Sequence, residues 1–164
     1  MHKQAVEKAL ALNDQLGEAY ASLALYYGDL REFDKARTAM QKSIELNPNY
    51  AQAYLWYANS QVGPGREEKR LQLLYKAAQL DPLSSIVQLN IATALMQLGN
   101  EVEARQRLQQ LSQMDPDYAD TYDFLGRIDA GIGQLARAVQ SYRKAMKLDL
   151  GNGRTMSNAA DALY

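Results

Sequence analysis

Apolar residues along this chain recur every three or four positions in short blocks, and the blocks themselves recur. Tyr20, Leu23, Ala24 and Tyr27 make one stripe; Phe33, Ala36, Met40, Ser43 and Ile44 make a second that closes at Leu46. Residues three and four apart share one face at about 3.6 residues per turn, so both stripes predict amphipathic helices. Gly28, Asp29 and Leu30 separate them as a turn. Asn47-Pro48 ends the second, because the residue before a proline is pushed away from helical geometry. Asn49 then offers a side-chain oxygen to cap the next helix, as Asp117 does further along. The predicted module is a helix, a turn, a second helix and a stop.

The module repeats. Pro48, Pro82 and Pro116 lie 34 residues apart, each closing a near-copy of one phrase: IELNPNYAQAY, AQLDPLSSIVQ, LSQMDPDYADTY. A fixed period of this size means that one supersecondary unit is being stacked, with each neighbour supplying half of its core. The units frame as 17–50, 51–84, 85–118 and 119–152, with half-units at 1–16 and 153–164. The eighth residue is small throughout: Ala24, Ala58, Ala92, Gly126 and, in the terminal half-unit, Ala160. Ala36, Ala104 and Ala138 answer from the facing helix, so the paired helices can approach closely while large neighbours fill the flanks.

Several positions break the pattern. Unit two has Gly63-Pro64-Gly65 in its turn and Arg70 where the others have alanine, so its hairpin is expected to be the most irregular. Arg31 replaces the turn glycine found as Gly65, Gly99 and Gly133, and unit four ends in Leu150-Gly151-Asn152 without a proline. Asp129 and Gln61 fall where other units place Tyr27 and Leu95 on the buried stripe. Burying an unpaired carboxylate is costly, so either Asp129 is in a structural ion pair with Arg127, Arg137 or a neighbouring unit, which is the expected case, or the fourth unit is locally looser.

These residues resemble the tetratricopeptide repeat: an aromatic near the start, Leu-Gly/Ala four residues later, a glycine in the turn, alanine in the second helix and a closing Asp/Asn-Pro. The resemblance covers nearly the whole chain. It implies an all-α, right-handed superhelical solenoid of antiparallel helix pairs, whose first helices line a concave groove that binds proteins or peptides. Carried onto this sequence, the implied contacts are Leu25, Gln52, Leu55, Trp56, Asn59, Ile86, Leu89, Asn90, Thr93, Met96, Asp120, Asp123 and Arg127. Trp56, the only tryptophan, reads either as an aromatic anchor or as packing between first helices with an exposed edge. Asn59 and Asn90 match two asparagines with which tetratricopeptide co-chaperones grip acidic chaperone C-termini. The cations that complete that grip are Leu55, Asp120 and Phe124 here, so a neutral or basic segment with apolar anchors is the expected partner.

Composition narrows the alternatives. The chain has 164 residues, 47% apolar and 23% charged, enough for one domain with a continuous core. Its net charge of −1, with Lys and Arg dispersed around the helices, argues against nucleic acid. The absence of cysteine excludes disulfides and thiolate metal sites, and no stretch approaches a membrane span of about 20 apolar residues. Catalysis finds no support. The one histidine is His2, no nucleophile has a base, and Gly131-Ile132-Gly133 and Gly151-Asn152-Gly153 lack a third glycine. No cofactor or metal is implied, since the ligand clusters they need are missing.

The ends read as half-modules: 3–12 as a second helix without its first, and 153–164 as a first helix without its second. Ala159, Ala160, Leu163 and Tyr164 are apolar where a cap should be polar, which suggests a piece of a longer array; alternatively, the last helix is itself the cap. Two other roles stay open. Apolar ends (Ala5, Val6 and Leu10; Ala159, Leu163 and Tyr164) could mediate self-assembly, and the array could be a sensory appendage of a bacterial transcription regulator or nucleotide cyclase. The default compartment is the cytoplasm, with the periplasm as the alternative.

Overall fold

The computed structural model describes residues 3–61, 63–149 and 157. The expected terminal half-unit, including Arg154 and Asp161, lies outside the described residues apart from Ser157, as do His2 and Leu150-Gly151-Asn152. Among the described residues every regular element is α-helical, with no strand. The helices are α1 (Lys3–Leu12), α2 (Gly17–Asp29), α3 (Phe33–Leu46), α4 (Ala51–Ser60), α5 (Glu67–Leu80), α6 (Ser85–Gln97), α7 (Glu101–Met114), α8 (Ala119–Gly131) and α9 (Leu135–Leu148). They divide into two compact units, Met1–Asp81 and Pro82–Tyr164. In the first, α2 pairs with α3 and α4 with α5, while α1 packs on α2 and α3 on α4. In the second, α6 pairs with α7 and α8 with α9, while α7 packs on α8 and α6 touches α8.

In each hairpin the small eighth residue of the first helix and a larger residue of the second helix are both buried. Ala24, Ala58, Ala92 and Gly126 are buried, as are Met40, Leu74, Leu108 and Tyr142 sixteen residues later. The last pair shows the size compensation directly: a Cβ on Gly126 would lie 2.5 Å from Cε1 of Tyr142. The larger ring occupies the volume that a methyl group fills elsewhere. In the first unit Ala21, Ala24, Ala39, Met40, Ala53 and Tyr57 form the core, with Trp56 partly buried against it.

Three of the four first helices end alike. Leu30, Leu98 and Ile132 donate their backbone N–H to Tyr26, Ala94 and Ile128 four residues back, and a left-handed residue follows. Glycine fills that place at Gly99 and Gly133, both at φ +75, but Arg31 holds it at φ +60. For a residue with a Cβ this conformation costs roughly 1–2 kcal/mol. The second hairpin departs as its sequence suggested. Pro64 occupies the place of Leu30, has no N–H to close the helix and disfavours helical geometry just before it. α4 accordingly stops after 10 residues, against 13 for α2, α6 and α8. Arg70 stands among its neighbours half-buried, and burial pushes its guanidinium pKa down.

Capping differs from expectation. Asn49 and Asp117 do not cap the following helices: the boundary residues are Tyr50 and Tyr118, and neither start carries a side-chain cap. The turn itself takes up the polar groups. Tyr50 N–H donates to Asn47 O at 3.2 Å, and Asn49 N–H donates to Asn47 Oδ1 at 3.3 Å. The residue at position four of the next helix then seals the loop. Tyr54 Oη, Gln88 Nε2 and Tyr122 Oη donate to the carbonyls of Pro48, Pro82 and Pro116 at 3.2, 3.1 and 3.0 Å. A side-chain cap does occur at α7, where Asn100 Oδ1 accepts from Glu103 N–H at 3.4 Å and Asn100 Nδ2 donates to Glu103 Oε2 at 2.9 Å.

The candidate binding face of the first helices

All the residues expected to contact a partner lie on α2, α4, α6 or α8. The structure separates them by depth. Leu55, Leu89 and Asp123 are buried, at 3%, 7% and 0% exposure, and so is Ala21 at 0%. These four share the fifth position of their helices. The reason is angular. At about 100° per residue, position five lies beside positions one, eight and twelve, at the margin of the core stripe. Positions two, six, nine and thirteen fall on the adjoining open arc. Leu55, Leu89 and Asp123, which the resemblance implied as partner contacts, therefore lie at the core margin beneath the open arc, with little of each side chain exposed.

The open arc is described separately in each unit. In the first unit it carries Leu25 on α2, and Gln52, Trp56 and Asn59 on α4; Asn59 is exposed and the others half-buried. Trp56 stands edge-on to Tyr50, with ring centroids 6.2 Å apart at 90°, and packs against the unit's core. That packing accounts for most of the indole and leaves part of it in solvent.

In the second unit α6 contributes Ile86, Asn90 and Thr93, of which Ile86 is 48% exposed and the others half-buried; Met96, at position twelve, is half-buried at the core margin. Asn90 Nδ2 donates to Ile86 O at 2.8 Å, and Thr93 Oγ1 to Asn90 O at 2.9 Å. Both side chains thus bond back to their own helix. α8 contributes half-buried Asp120, with exposed Arg127 whose guanidinium carbon lies 4.8 Å from the Phe124 ring centroid. An aromatic ring with a cation on its face and a carboxylate one turn away makes a compact polar platform on α8.

Asp129 is the other buried carboxylate of α8, and its partner comes from the preceding hairpin. Arg105 of α7 donates to Asp129 Oδ1 through Nε and Nη2, both at 3.0 Å. The pair is structural and links α7 to α8, as expected of a neighbouring unit; neither Arg127 nor Arg137 supplies it. Gln61 turns its amide back onto Tyr57 O and Ser60 Oγ, at 3.4 and 3.1 Å. Among the described residues no cluster of three or more His, Cys, Asp or Glu side chains could hold a metal ion, and no helix is long and apolar enough to cross a membrane.

Comparison with known proteins agrees with this architecture. Tetratricopeptide repeat families match residues 17–50, 71–128 and 119–152. No curated protein matches the chain. Among solved structures, pilF of Pseudomonas aeruginosa superposes with a TM-score of 0.83 at 19% identity, over 98% of this chain and 79% of that one. YrrB, described as a TPR protein with an unusual peptide-binding site, gives 0.76 at 21% identity, over 96% and 81%. The first TPR of Spaghetti (RPAP3), bound to the HSP90 peptide SRMEEVD, gives 0.63 at 17% identity, over 69% and 90%. Helix pairs of a 34-residue period, a small eighth residue in every first helix and these three family matches agree: the chain belongs to the tetratricopeptide repeat family.

Proposed function

We propose that this chain is a non-catalytic scaffold that binds a peptide segment of another protein on the open arcs of its first helices. The observation that carries the reading is the face of the second unit: exposed Ile86 beside Asn90 and Thr93, followed by Asp120 and the Phe124–Arg127 platform. An apolar anchor flanked by amide and hydroxyl groups suits main-chain hydrogen bonding to an extended or helical peptide. Rigid helices hold these groups before the partner arrives, so less conformational entropy is lost on association. YrrB and the RPAP3 domain support a peptide as ligand class, since both are described with peptide sites.

The partner is neutral or basic on this face. Asp120 stands where a carboxylate grip would need a cation, which separates this surface from one built for an acidic C-terminus. Selection from a random peptide library tests the reading. Enriched peptides should carry an apolar anchor without a run of acids, and Ile86→Ala should weaken them about five- to tenfold, about 1 kcal/mol of lost apolar contact. Asn90→Ala should weaken them as well. Unchanged binding in both variants moves the site elsewhere, and an acidic peptide whose binding depends on Asn90 overturns the charge assignment.

A further inference from the structure

The sequence suggested that cations are dispersed around the helices, but α9 is an exception. It carries Arg137, Arg143, Lys144 and Lys147 with no acidic residue, in a chain of net charge −1. All four are exposed. At about 100° per residue they share an arc of roughly 120°, opposite the buried stripe of Ala138, Tyr142 and Ala145. None of the four enters an ion pair among the described residues. The matching places differ in the other hairpins. In the third they read Glu103, Gln109, Gln110 and Gln113; in the first, Lys35 and Lys42 are met by Glu32 and Glu45 at 2.6 and 3.5 Å.

One of these cations is held in place. Lys144 Nζ donates to Tyr122 Oη at 2.7 Å and lies 4.1 Å from that ring's centroid. Tyr122 is itself fixed by donating to Pro116 O at 3.0 Å. The ammonium keeps two further N–H groups for an acceptor. We propose that the outer face of α9 is a second binding site, separate from the first-helix face, for a short acidic peptide segment. From Arg137 to Lys147 the stripe runs about 15 Å at 1.5 Å per residue, the reach of four or five extended residues at about 3.3 Å each. A duplex or a membrane spreads its charge far wider than one helix and would meet a chain that is otherwise net acidic. A short acidic segment engages the stripe and little else.

The test titrates fluorescein-labelled hexaglutamate into the full chain at low salt, with hexalysine, duplex DNA and phosphatidylserine vesicles in parallel. Hexaglutamate should bind, and its affinity should fall as salt screens the contacts. Arg143→Glu/Lys147→Glu should lower that affinity about tenfold or more, since two attractions become two repulsions. Arg143→Gln/Lys147→Gln should give a smaller loss, with circular dichroism and melting temperature unchanged in both variants. Asn90→Ala should leave hexaglutamate binding intact, so failure of this site and failure of the first-helix site are told apart. Absence of hexaglutamate binding, binding indifferent to the double variants, or a preference for DNA or vesicles through the same cations overturns the proposal.

Discussion

A missing methyl group and a tyrosine ring set the interior of the last hairpin. Gly126 takes the place held by Ala24, Ala58 and Ala92, because Tyr142 takes the place held by Met40, Leu74 and Leu108. The stripe of small residues was visible in the sequence; the reason for glycine in place of alanine was not, since it depends on which residue of the second helix faces it. Gly126→Ala should destabilise the protein by about 1–3 kcal/mol in urea unfolding, the usual cost of overpacking. Tyr142→Leu placed in the same background should recover most of that loss, because the second and third hairpins carry buried alanine and leucine at these two positions. The depth of position five was equally hidden. Leu55, Leu89 and Asp123 match the family's contact pattern by number, yet their angle on the helix puts them on the core margin.

At the scale of elements, the period, the helix pairs and the irregular second turn could all be read from residues such as Pro48, Gly99 and Pro64. The stops were less simple. Asp149 ends α9 at φ −134, ψ 88, close to Asn47 at −134, 83 and Asp115 at −134, 82, although leucine and not proline follows it. The helix end is thus shaped by more than the proline. Links between hairpins were legible only as a need. Asp129 had to be paired, but only the packing of α7 on α8 identifies Arg105 as the partner. Arg105→Ala should cost about 3 kcal/mol in chemical unfolding, since it leaves a buried carboxylate uncompensated. Replacing both residues with apolar ones of similar volume should cost far less, and a double-mutant cycle measures the difference.

Across the whole molecule, stability should fall in alkali for a reason tied to the repeat. Tyr50 and Tyr118 occupy the same place in their modules, the boundary residue before a first helix. Burial, then Glu18, pushes the Tyr50 phenol upward; burial, then Asp120 and Asp115, does the same for Tyr118. The unfolded chain therefore loses these protons first. Their contribution is intact below the ordinary phenol value of about 10 and is lost as pH rises through the higher folded values. Urea midpoints measured from pH 8 to 11 should decline above about pH 10, and Tyr50→Phe with Tyr118→Phe should flatten that decline.

The Gly126–Tyr142 contact also bears on how such a chain can be inherited in pieces. A crossover that falls between these two residues joins a first helix from one module to a second helix from another. Where the incoming first helix brings alanine, its methyl meets the tyrosine ring. The smallest segment that duplication or exchange can move without damage is therefore the intact pair, with both ends of the contact on the same transferred fragment.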